Sequence, residues 1–402
     1  MEKRVFTGSF TQQESLPEAA IEAAIAVMRT GRLHRYNLAE GEVGEVAHLE
    51  EEFAAFTGAK YALAVASGGY AMSCALRALG VGPGDKVLSN GFTLAPVPGA
   101  IASVGAEPVF VETTEALTID LDDLSRRVVD SGAKVLLLSH MRGHICDMDR
   151  LMRICDAAGV AVIEDCAHTM GAAWNGVPSG RHGLIGCYST QTYKHINSGE
   201  GGLVISDDPE VMARAVLLSG SYMLYPRHTA SPPVETFEKV KWATPNVSGR
   251  MDHLRAAILR VQLADLPRQV ARWNDLYTTV EDGLRNTPGL AVIKRDARES
   301  IVGSSIQFRL PGAAPTTIAT VLRGCAARGV ELKWFGAEEP VAFTSRYDSW
   351  RYAPPQSLPR TDAILAGLID MRLPLTFSVA DAGLIAEIIR DEVMAAMPRV
   401  AE

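Results

Sequence analysis

A lysine within a polar, glycine-rich segment is the first residue of this chain that could do chemistry. Lys194 lies in "QTYKHINSGEGG" (residues 191–202), and the apolar runs on either side of it, "LIGCYST" and "LVISDD", are typical of strands. Lysine is usually exposed, and such a segment is usually a plain turn. A lysine that acts as a nucleophile must instead be partly desolvated and held beside its target. The segment alone leaves both interpretations open.

An aspartate that follows a buried strand is the second candidate. In "IEDCAHTMGA", Asp165 lies at the end of a strand pattern that is apolar up to Ile163, where a carboxylate is unfavourable without a cationic or hydrogen-bonding partner. Asp165 could equally cap a helix, and His168 could be a core histidine whose hydrogen bonds are satisfied. Taken singly, each of these residues fits a structural role and a chemical one.

The third candidate is an anion site. In "SGGYAMSCALRAL", Ser67, Gly68 and Gly69 connect a strand to a helix, whose N-terminus favours negative charge. A tight strand–helix turn would look the same, and the segment is not a Walker motif. Ser189, five residues before Lys194, is placed to bind the same anion. An anion site, a buried aspartate and a lysine together match the phosphate, the pyridine nitrogen and the aldehyde of pyridoxal 5′-phosphate, which we therefore predict as the cofactor.

The elements around these candidates predict an α/β fold. Short, continuously apolar strands alternate with helices from residue 61 to residue 164, which indicates a parallel sheet covered by helices on both faces. In such sheets ligands bind beyond the carboxyl ends of the strands, and Ser67, His140 and Asp165 fall at such ends. The candidates should therefore meet at one edge of the sheet.

The N-terminal residues and the residues after about 250 do not continue this alternation of strands and helices. Residues 15–31 predict a helix with a capping box at Ser15 and Glu18. Residues 252–286 form one long helical pattern with an expected kink at Pro267, and "VGSSIQFRL" and "GVELKWFG" are the clearest strands after it. We predict an N-terminal arm and large domain over residues 1–260 and a small C-terminal α+β domain over residues 261–402.

Composition narrows the class of protein. The chain has 402 residues and a net charge of −8, without a long basic run, so nucleic acid is not an expected partner. Its six cysteines show no C-x-x-C spacing, which favours free thiols over disulfides or a metal site. The start lacks the apolar core of a signal peptide, and no stretch is apolar for long enough to cross a bilayer. We expect a cytoplasmic protein that acts on small molecules and binds neither metal nor membrane.

Several segments, taken in order, resemble the DegT/StrS-type sugar aminotransferases. They are "SGGYAM", "GPGDKVL", "GAEPVFVE", "GHICDMD", "IEDCAHTMGA", "CYSTQTYKHINSGEGG" and "NVSGRMDHLRAAIL". The resemblance implies the fold type I pyridoxal-phosphate architecture, with a large, mostly parallel sheet sandwiched by helices and a smaller C-terminal α+β domain. It also implies a homodimer with shared active sites.

The resemblance also implies roles for individual residues. Lys194 falls on the family's Schiff-base lysine and Asp165 on the aspartate that holds the pyridine nitrogen. His168 falls near the cofactor's 3-hydroxyl, and Ser189 with the Gly68–Gly69 turn falls on the phosphate site. Asn246 resembles the asparagine that reaches the phosphate from the neighbouring subunit.

Three positions depart from the family pattern. Gly69 stands where the family often has a threonine or a similar residue, so one phosphate hydrogen bond is either missing or supplied by the backbone. Leu94 stands where the family usually has an aromatic residue stacked on the pyridine ring. Stacking would then become aliphatic packing, unless Phe92 supplies the aromatic ring instead. Arg142 stands at a tyrosine position and is a candidate to bind a substrate carboxylate or phosphate.

Other residues could bind the substrate in place of Arg142, and the sequence does not decide between them. Arg250 and Lys333 are alternative substrate-binding residues. Arg142 could also be a surface residue paired with Asp147 or Asp149.

The expected activity is transfer of an amino group from an amino-acid donor, glutamate or glutamine, to a keto sugar, a cyclitol or another carbonyl compound. A deoxysugar dehydratase of the same fold would have histidine in place of the lysine, whereas here His195 is only its neighbour. A pyridoxal-phosphate lyase needs the same lysine and aspartate, and a non-catalytic regulator would retain only the fold. These are the alternatives.

Overall fold

The computed structural model describes residues 4–397. In this part of the chain fourteen strands form three sheets, with the bounds β1 Tyr61–Val65, β2 Lys86–Asn90, β3 Glu107–Val111, β4 Val135–Ser139, β5 Ala161–Asp165, β6 Ala173–Trp174, β7 Val177–Pro178, β8 Ile185–Ser189, β9 Gly202–Ser206, β10 Ala291–Val292, β11 Glu299–Ser300, β12 Ser305–Arg309, β13 Lys333–Trp334 and β14 Leu368–Arg372.

Helices cover or connect these sheets. Over the same residues their bounds are α1 Glu18–Thr30, α2 Glu45–Thr57, α3 Gly68–Ala78, α4 Pro96–Ser103, α5 Leu121–Ser131, α6 Met148–Ala158, α7 Pro209–Leu218, α8 Val234–Val240, α9 His253–Leu284, α10 Pro315–Ala327, α11 Pro359–Leu365 and α12 Val379–Ala396. Short 3₁₀ turns occur at Met141–Gly143, Tyr225–Arg227 and Tyr347–Ser349.

The central sheet has seven strands in the order β1-β9-β8-β5-β4-β2-β3. The pairs from β8 through β5, β4 and β2 to β3 are parallel, which confirms the predicted α/β fold. Strand β9 runs antiparallel to both β8 and β1. It reverses because residues 190–201, which join β8 to β9, contain no helix that could carry the chain back for a parallel pairing.

Apolar clusters bury both faces of this sheet. Helices α2, α5, α6 and the first half of α9 contribute to one cluster, and α3, α4, α7 and α8 to the other. The sheet is therefore sandwiched between helices, which excludes water from its strands and leaves the loops at the strand ends as the accessible part.

A second sheet, β10-β12-β14-β13, is antiparallel and has its own core. Helices α10 and α12 contribute to that core, as do Phe6 and Phe10 from the N-terminal segment. Helix α9 serves both cores, with Leu259 in the first and Leu276 in the second. This is the smaller α+β part of the fold, and the boundary after residue 260 stays a prediction.

Two local predictions need correction. The capping box at Ser15 and Glu18 is wrong, because α1 begins at Glu18 itself with Pro17 as its N-cap and no side-chain cap. The segment "GVELKWFG" contributes only the two-residue strand β13. The long helix is present and is continuous through Pro267.

All six cysteines are free and buried. No helix among residues 4–397 is long and apolar enough to cross a membrane.

Candidate active site

A cavity of about 640 Å³ lies at the carboxyl ends of the central strands, between the two parts of the fold. Because parallel strands end at the same edge, residues that follow β4, β5 and β8 meet here. Predicted site residues that line the cavity are Gly68, Gly69, Leu94, Arg142, Asp165, His168, Ser189 and Lys194. The fold therefore brings together the residues predicted for the anion, carboxylate and amine sites.

Asp165 supplies a buried carboxylate at the end of β5. It lies in register with Ser139 of β4, and its Oδ2 accepts a hydrogen bond from Ser139 Oγ at 3.0 Å. Its Oδ1 accepts a hydrogen bond from the backbone N–H of Ala167 at 3.1 Å. Burial raises the pKa of Asp165, against the opposing effects of its hydrogen bonds and of the Lys194 charge. Within residues 4–397 no cationic side chain forms an ion pair with its carboxylate at 4.0 Å or less. A cationic hydrogen-bond donor in the cavity would stabilise the ionised form.

Lys194 extends into the cavity from the loop between β8 and β9. Its Nζ lies 2.9 Å from Nε2 of His168. Burial, first of all, and the positive charges of Arg142 and Arg372 lower the pKa of Lys194 to about 7, against the attraction of Asp165. The pKa of His168 is well below its usual value, first because of burial and then because of Lys194. Near neutral pH a large share of the Lys194 amine is therefore unprotonated and nucleophilic.

The residues predicted for the anion site lie at the N-terminus of α3 and at the end of strand β8. Ser67 caps the helix by accepting a hydrogen bond from the N–H of Tyr70. Gly68 and Gly69, the first residues of the helix, line the cavity, and N–H groups at this end of a helix have no partner within it. A Cβ at Gly68 would lie 2.7 Å from the Cβ of Ser189, so glycine is required for the helix to approach this strand. At Gly69 a Cβ would meet only Ser67 Oγ, at 3.9 Å, which leaves open space.

These residues fit pyridoxal 5′-phosphate. The helix N-terminus and the Ser189 hydroxyl suit a phosphate, the buried Asp165 lacks a cationic partner, and Lys194 offers a desolvated amine. Of the two residues considered for packing on the pyridine ring, Leu94 lines the cavity. Phe92 is buried against Phe335 instead, with ring centroids 5.1 Å apart. An aliphatic side chain is therefore available to pack on the cofactor ring.

Arg142 is not the surface residue of the alternative interpretation. Its side chain is only 6% exposed, and its guanidinium pairs with Asp370 of β14 at 2.9 Å rather than with Asp147 or Asp149. Its backbone φ of +55° is unusual for a long side chain. The guanidinium also lies 4.4 Å from the ring centroid of Phe343. Arg142 faces the cavity, but its charge is balanced by Asp370.

Other predicted residues lie outside the cavity of their own chain. Asn246 is exposed, and its Oδ1 accepts a hydrogen bond from the N–H of Tyr222. Arg250 donates to the carbonyl oxygen of Gly220 at 2.7 Å. Lys333 pairs with Glu331 at 2.5 Å beside a separate small cavity, so its position does not support the substrate role predicted for it.

Two histidines near the sequence motifs are structural. His140 was expected at the ligand edge, but its Nε2 lies 2.9 Å from Glu164, which is fully buried on the other side of the strands. His195 is buried against Trp273 and contacts Ser304. It does not line the cavity, whereas Lys194 does.

Sequence reasoning missed cavity residues at two strand ends. Ser139 ends β4 beside Asp165, and the rule that parallel strands end at one edge could have identified it. Arg372 ends β14 in the second sheet, in "LIDMRLPL", and also lines the cavity. No local pattern indicates Arg372, because its neighbours in the cavity come from distant parts of the chain.

The fold and this site together define a pyridoxal-phosphate enzyme of fold type I. Residues 16–390 match the sequence profile of the DegT/DnrJ/EryC1/StrS aminotransferase family. The chain belongs to that family and is a pyridoxal-phosphate-dependent aminotransferase.

Curated relatives and a solved structure support this assignment. The chain is 34% identical to the 3-amino-5-hydroxybenzoate synthase of Amycolatopsis mediterranei over 273 residues, 67% of each chain. It is 32% identical to the dTDP-3-amino-3,4,6-trideoxy-alpha-D-glucose transaminase of Streptomyces venezuelae over 276 residues, 68% of each. A crystal structure of a 3-amino-5-hydroxybenzoic acid synthase superimposes with a TM-score of 0.81 at 27% identity, covering 98% of this chain and all of the other.

Proposed function

We propose that this enzyme transfers an amino group from an amino-acid donor, glutamate or glutamine, to the carbonyl carbon of a keto sugar, a cyclitol or a related ring ketone in the cytoplasm. The observation that carries the proposal is the convergence of Lys194, Asp165 and the Ser189 anion site in one cavity. The relatives named above, which make an aminated sugar and an aminated aromatic acid, support the type of acceptor.

Each residue has a defined task in this reaction. When bound, pyridoxal 5′-phosphate supplies an aldehyde for the amino group and a ring that accepts electrons. Lys194, with a pKa of about 7, can hold the cofactor. Once released, its amine can take the proton from the nitrogen-bearing carbon of the donor and deliver it to the former aldehyde carbon of the cofactor, and it does the reverse for the acceptor. Asp165 keeps the ring nitrogen protonated through a charge-assisted hydrogen bond. His168 holds the Lys194 amine, and Ser189 with α3 anchors the phosphate.

A donor and acceptor screen on the purified holoenzyme tests the proposal. L-Glutamate or L-glutamine should bleach the visible cofactor band, and the matching keto acid should appear in equal amount. Ring ketones, both neutral and nucleotide-linked, should then restore the band and yield an amine. Release of ammonia or carbon dioxide instead of a keto acid would favour a lyase, and loss of water from a sugar would favour a dehydratase. No reaction with any donor would favour a non-catalytic regulator.

We also propose that the active enzyme is a homodimer in which Asn246 completes the phosphate site of the partner. Asn246 is exposed in its own chain and lies outside that chain's cavity. Large apolar side chains near Asn246 are exposed as well. Trp242, four residues before it, is 82% exposed, and Tyr222, whose N–H is bonded to Asn246, is 54% exposed. A second copy that covers them would remove this apolar surface from water.

Hybrid dimers distinguish shared from separate sites. Lys194→Ala chains and Asn246→Ala chains should each have little activity as homodimers. In a mixed dimer one site should carry both changes and the other neither. Because roughly half of the dimers are hybrids after equal mixing, activity should return to about a quarter of the wild-type value. Verified hybrids without activity, or a fully active monomer, would refute shared sites.

A further inference from the structure

Among residues 4–397, three lysine or arginine side chains line the active-site cavity, and they differ in their partners. Lys194 is committed to the cofactor, and Arg142 is paired with Asp370 at 2.9 Å. Arg372 also lines the cavity, but within residues 4–397 it forms no ion pair with any carboxylate at 4.0 Å or less. A cavity guanidinium whose charge is not balanced by the protein is available for an anionic ligand.

The fold explains why Arg372 faces the cavity. It ends β14, and because side chains of a strand alternate between faces, Arg372 points to the same side as Asp370, two residues earlier. Across the sheet it lies in register with Ser305, which is also a cavity residue. Asp370 is occupied by Arg142 and by the Nε2 amide of Gln307, so it cannot also balance Arg372 without giving up those partners.

Aromatic rings hold the guanidinium in place. Its central carbon lies 3.9 Å from the ring centroid of Tyr193 and 5.3 Å from that of Phe343. Stacking on a ring occupies the face of a guanidinium and leaves its in-plane N–H groups free to donate. Tyr193 is the residue before Lys194, so the contact also places Arg372 close to the reactive amine. The positive charge of Arg372 accordingly lowers the pKa of Lys194.

We propose that Arg372 binds a carboxylate group of a substrate through its planar pair of N–H donors. This inference rests on the proposed aminotransfer and names the group by which the cavity recognises a substrate. Two substrates can supply the carboxylate: the amino-acid donor, through its α-carboxylate, and a ring ketone that carries an acid group. Both would present the same planar anion to Arg372.

The experiment compares substrates with and without the carboxylate in Arg372→Met, Arg372→Lys and wild-type holoenzyme. The donor arm uses L-glutamate or L-glutamine, whichever bleaches the wild-type band, and the α-amide of the same amino acid. The acceptor arm uses the pyridoxamine-phosphate form with a neutral ring ketone and with a ring ketone that bears a carboxylate. Arg309→Met is the matched control, because Arg309 ends a neighbouring strand, is partly buried and pairs with Glu115 away from the cavity.

The wild-type enzyme should prefer the carboxylate-bearing substrate in one arm. Arg372→Met should lower kcat/KM for that substrate by about 10- to 100-fold, mainly through KM, and leave its neutral analogue nearly unchanged. Arg372→Lys keeps the positive charge but lacks the planar pair of donors. Its kcat/KM for that substrate should therefore lie between the values for the wild-type enzyme and for Arg372→Met. A lower kcat/KM in the donor arm would mean that Arg372 binds the α-carboxylate of the amino donor. A lower kcat/KM in the acceptor arm would mean that it binds the acid group of the ketone.

Equal effects on the charged substrate and its neutral analogue in both arms, or kinetics of both Arg372 variants equal to those of Arg309→Met, would overturn the proposal. Circular dichroism and the unchanged position of the cofactor band show that each variant is folded and loaded. A wild-type holoenzyme that transaminates no donor would contradict the proposed function itself, and that result is obtained before any Arg372 variant is assayed.

Discussion

The Nζ of Lys194 lies 2.9 Å from Nε2 of His168, which joins the loop between β8 and β9 to the turn after β5. Because the pKa of His168 is well below its usual value, the ring is neutral and its Nε2 can accept a hydrogen bond from the amine. The contact restrains the amine within the cavity that Asp165 and the start of α3 also line. It is the local basis for the first two predictions.

Lys194→Ala should fold and should fail to attach the cofactor covalently. The side chain is only partly buried, so its removal leaves little empty volume. Wild-type protein reduced with borohydride should carry the cofactor on the peptide that contains Lys194, as mass spectrometry would show. Label on another lysine, such as Lys241 or Lys333, would contradict the assignment.

The reactivity of Lys194 in the cofactor-free protein should depend on pH with a midpoint near 7. Burial and the charges of Arg142 and Arg372 lower its pKa to about 7, so the amine becomes neutral and nucleophilic above that pH. Acetylation of the Lys194 peptide by acetic anhydride should rise through pH 7 and then level off. Arg372→Met should move the midpoint upward, because a neighbouring positive charge is lost. A wild-type midpoint near the ordinary lysine value of about 10.4 is incompatible with this environment.

Asp165→Asn should retain the covalently bound cofactor but lose most transamination. The amide cannot stabilise a protonated ring nitrogen as a carboxylate does, and breaking a buried charge pair costs roughly 3–5 kcal/mol, or about two to four decades in kcat. Ser139→Ala is the control, because it removes one hydrogen bond to Asp165 and should cost at most about one decade. Equal losses in the two variants would argue against a charged role for Asp165.

Gly69→Thr should tighten cofactor binding. A Cβ at this position meets only Ser67 Oγ, at 3.9 Å, so the threonine fits and its hydroxyl can donate to the phosphate. One charge-assisted hydrogen bond corresponds to roughly 1.5–3 kcal/mol, or about one to two decades in Kd, measured by spectral titration of the cofactor-free protein. Gly68→Ala, whose Cβ would lie 2.7 Å from that of Ser189, should instead weaken binding. Tighter binding in both variants would show that the anion site lies elsewhere.

Arg142→Met should destabilise the protein, because it leaves the fully buried Asp370 without its cation. Removing one partner of such a pair lowers the free energy of unfolding by roughly 3–5 kcal/mol. Adding Asp370→Asn should restore much of that loss, as urea denaturation of the single and double variants would show. Additive effects of the two changes would mean that the pair is not coupled.

Local sequence patterns identified the strand–helix alternation and the three chemical groups of the site. The strands that flank Lys194, the strand before Asp165 and the strand before Ser67 are found within about two residues of their predicted ends. These predictions succeed because strand and helix periods and the turns between them are set by neighbouring residues. The convergence of the groups follows from one further rule, that parallel strands end at the same edge of a sheet.

Tertiary structure alone decided which charges and rings line the cavity. Arg142 and Asp370 are separated by 228 positions, so no local pattern could show that Arg142 is balanced and Arg372 is not. The same holds for Phe92, which packs against Phe335 and leaves the cavity wall to Leu94, and for Asn246, which lies outside its own chain's cavity. A side chain's partner in a buried site depends on which distant strands and loops the fold brings beside it, and that is a property of packing rather than of sequence neighbours.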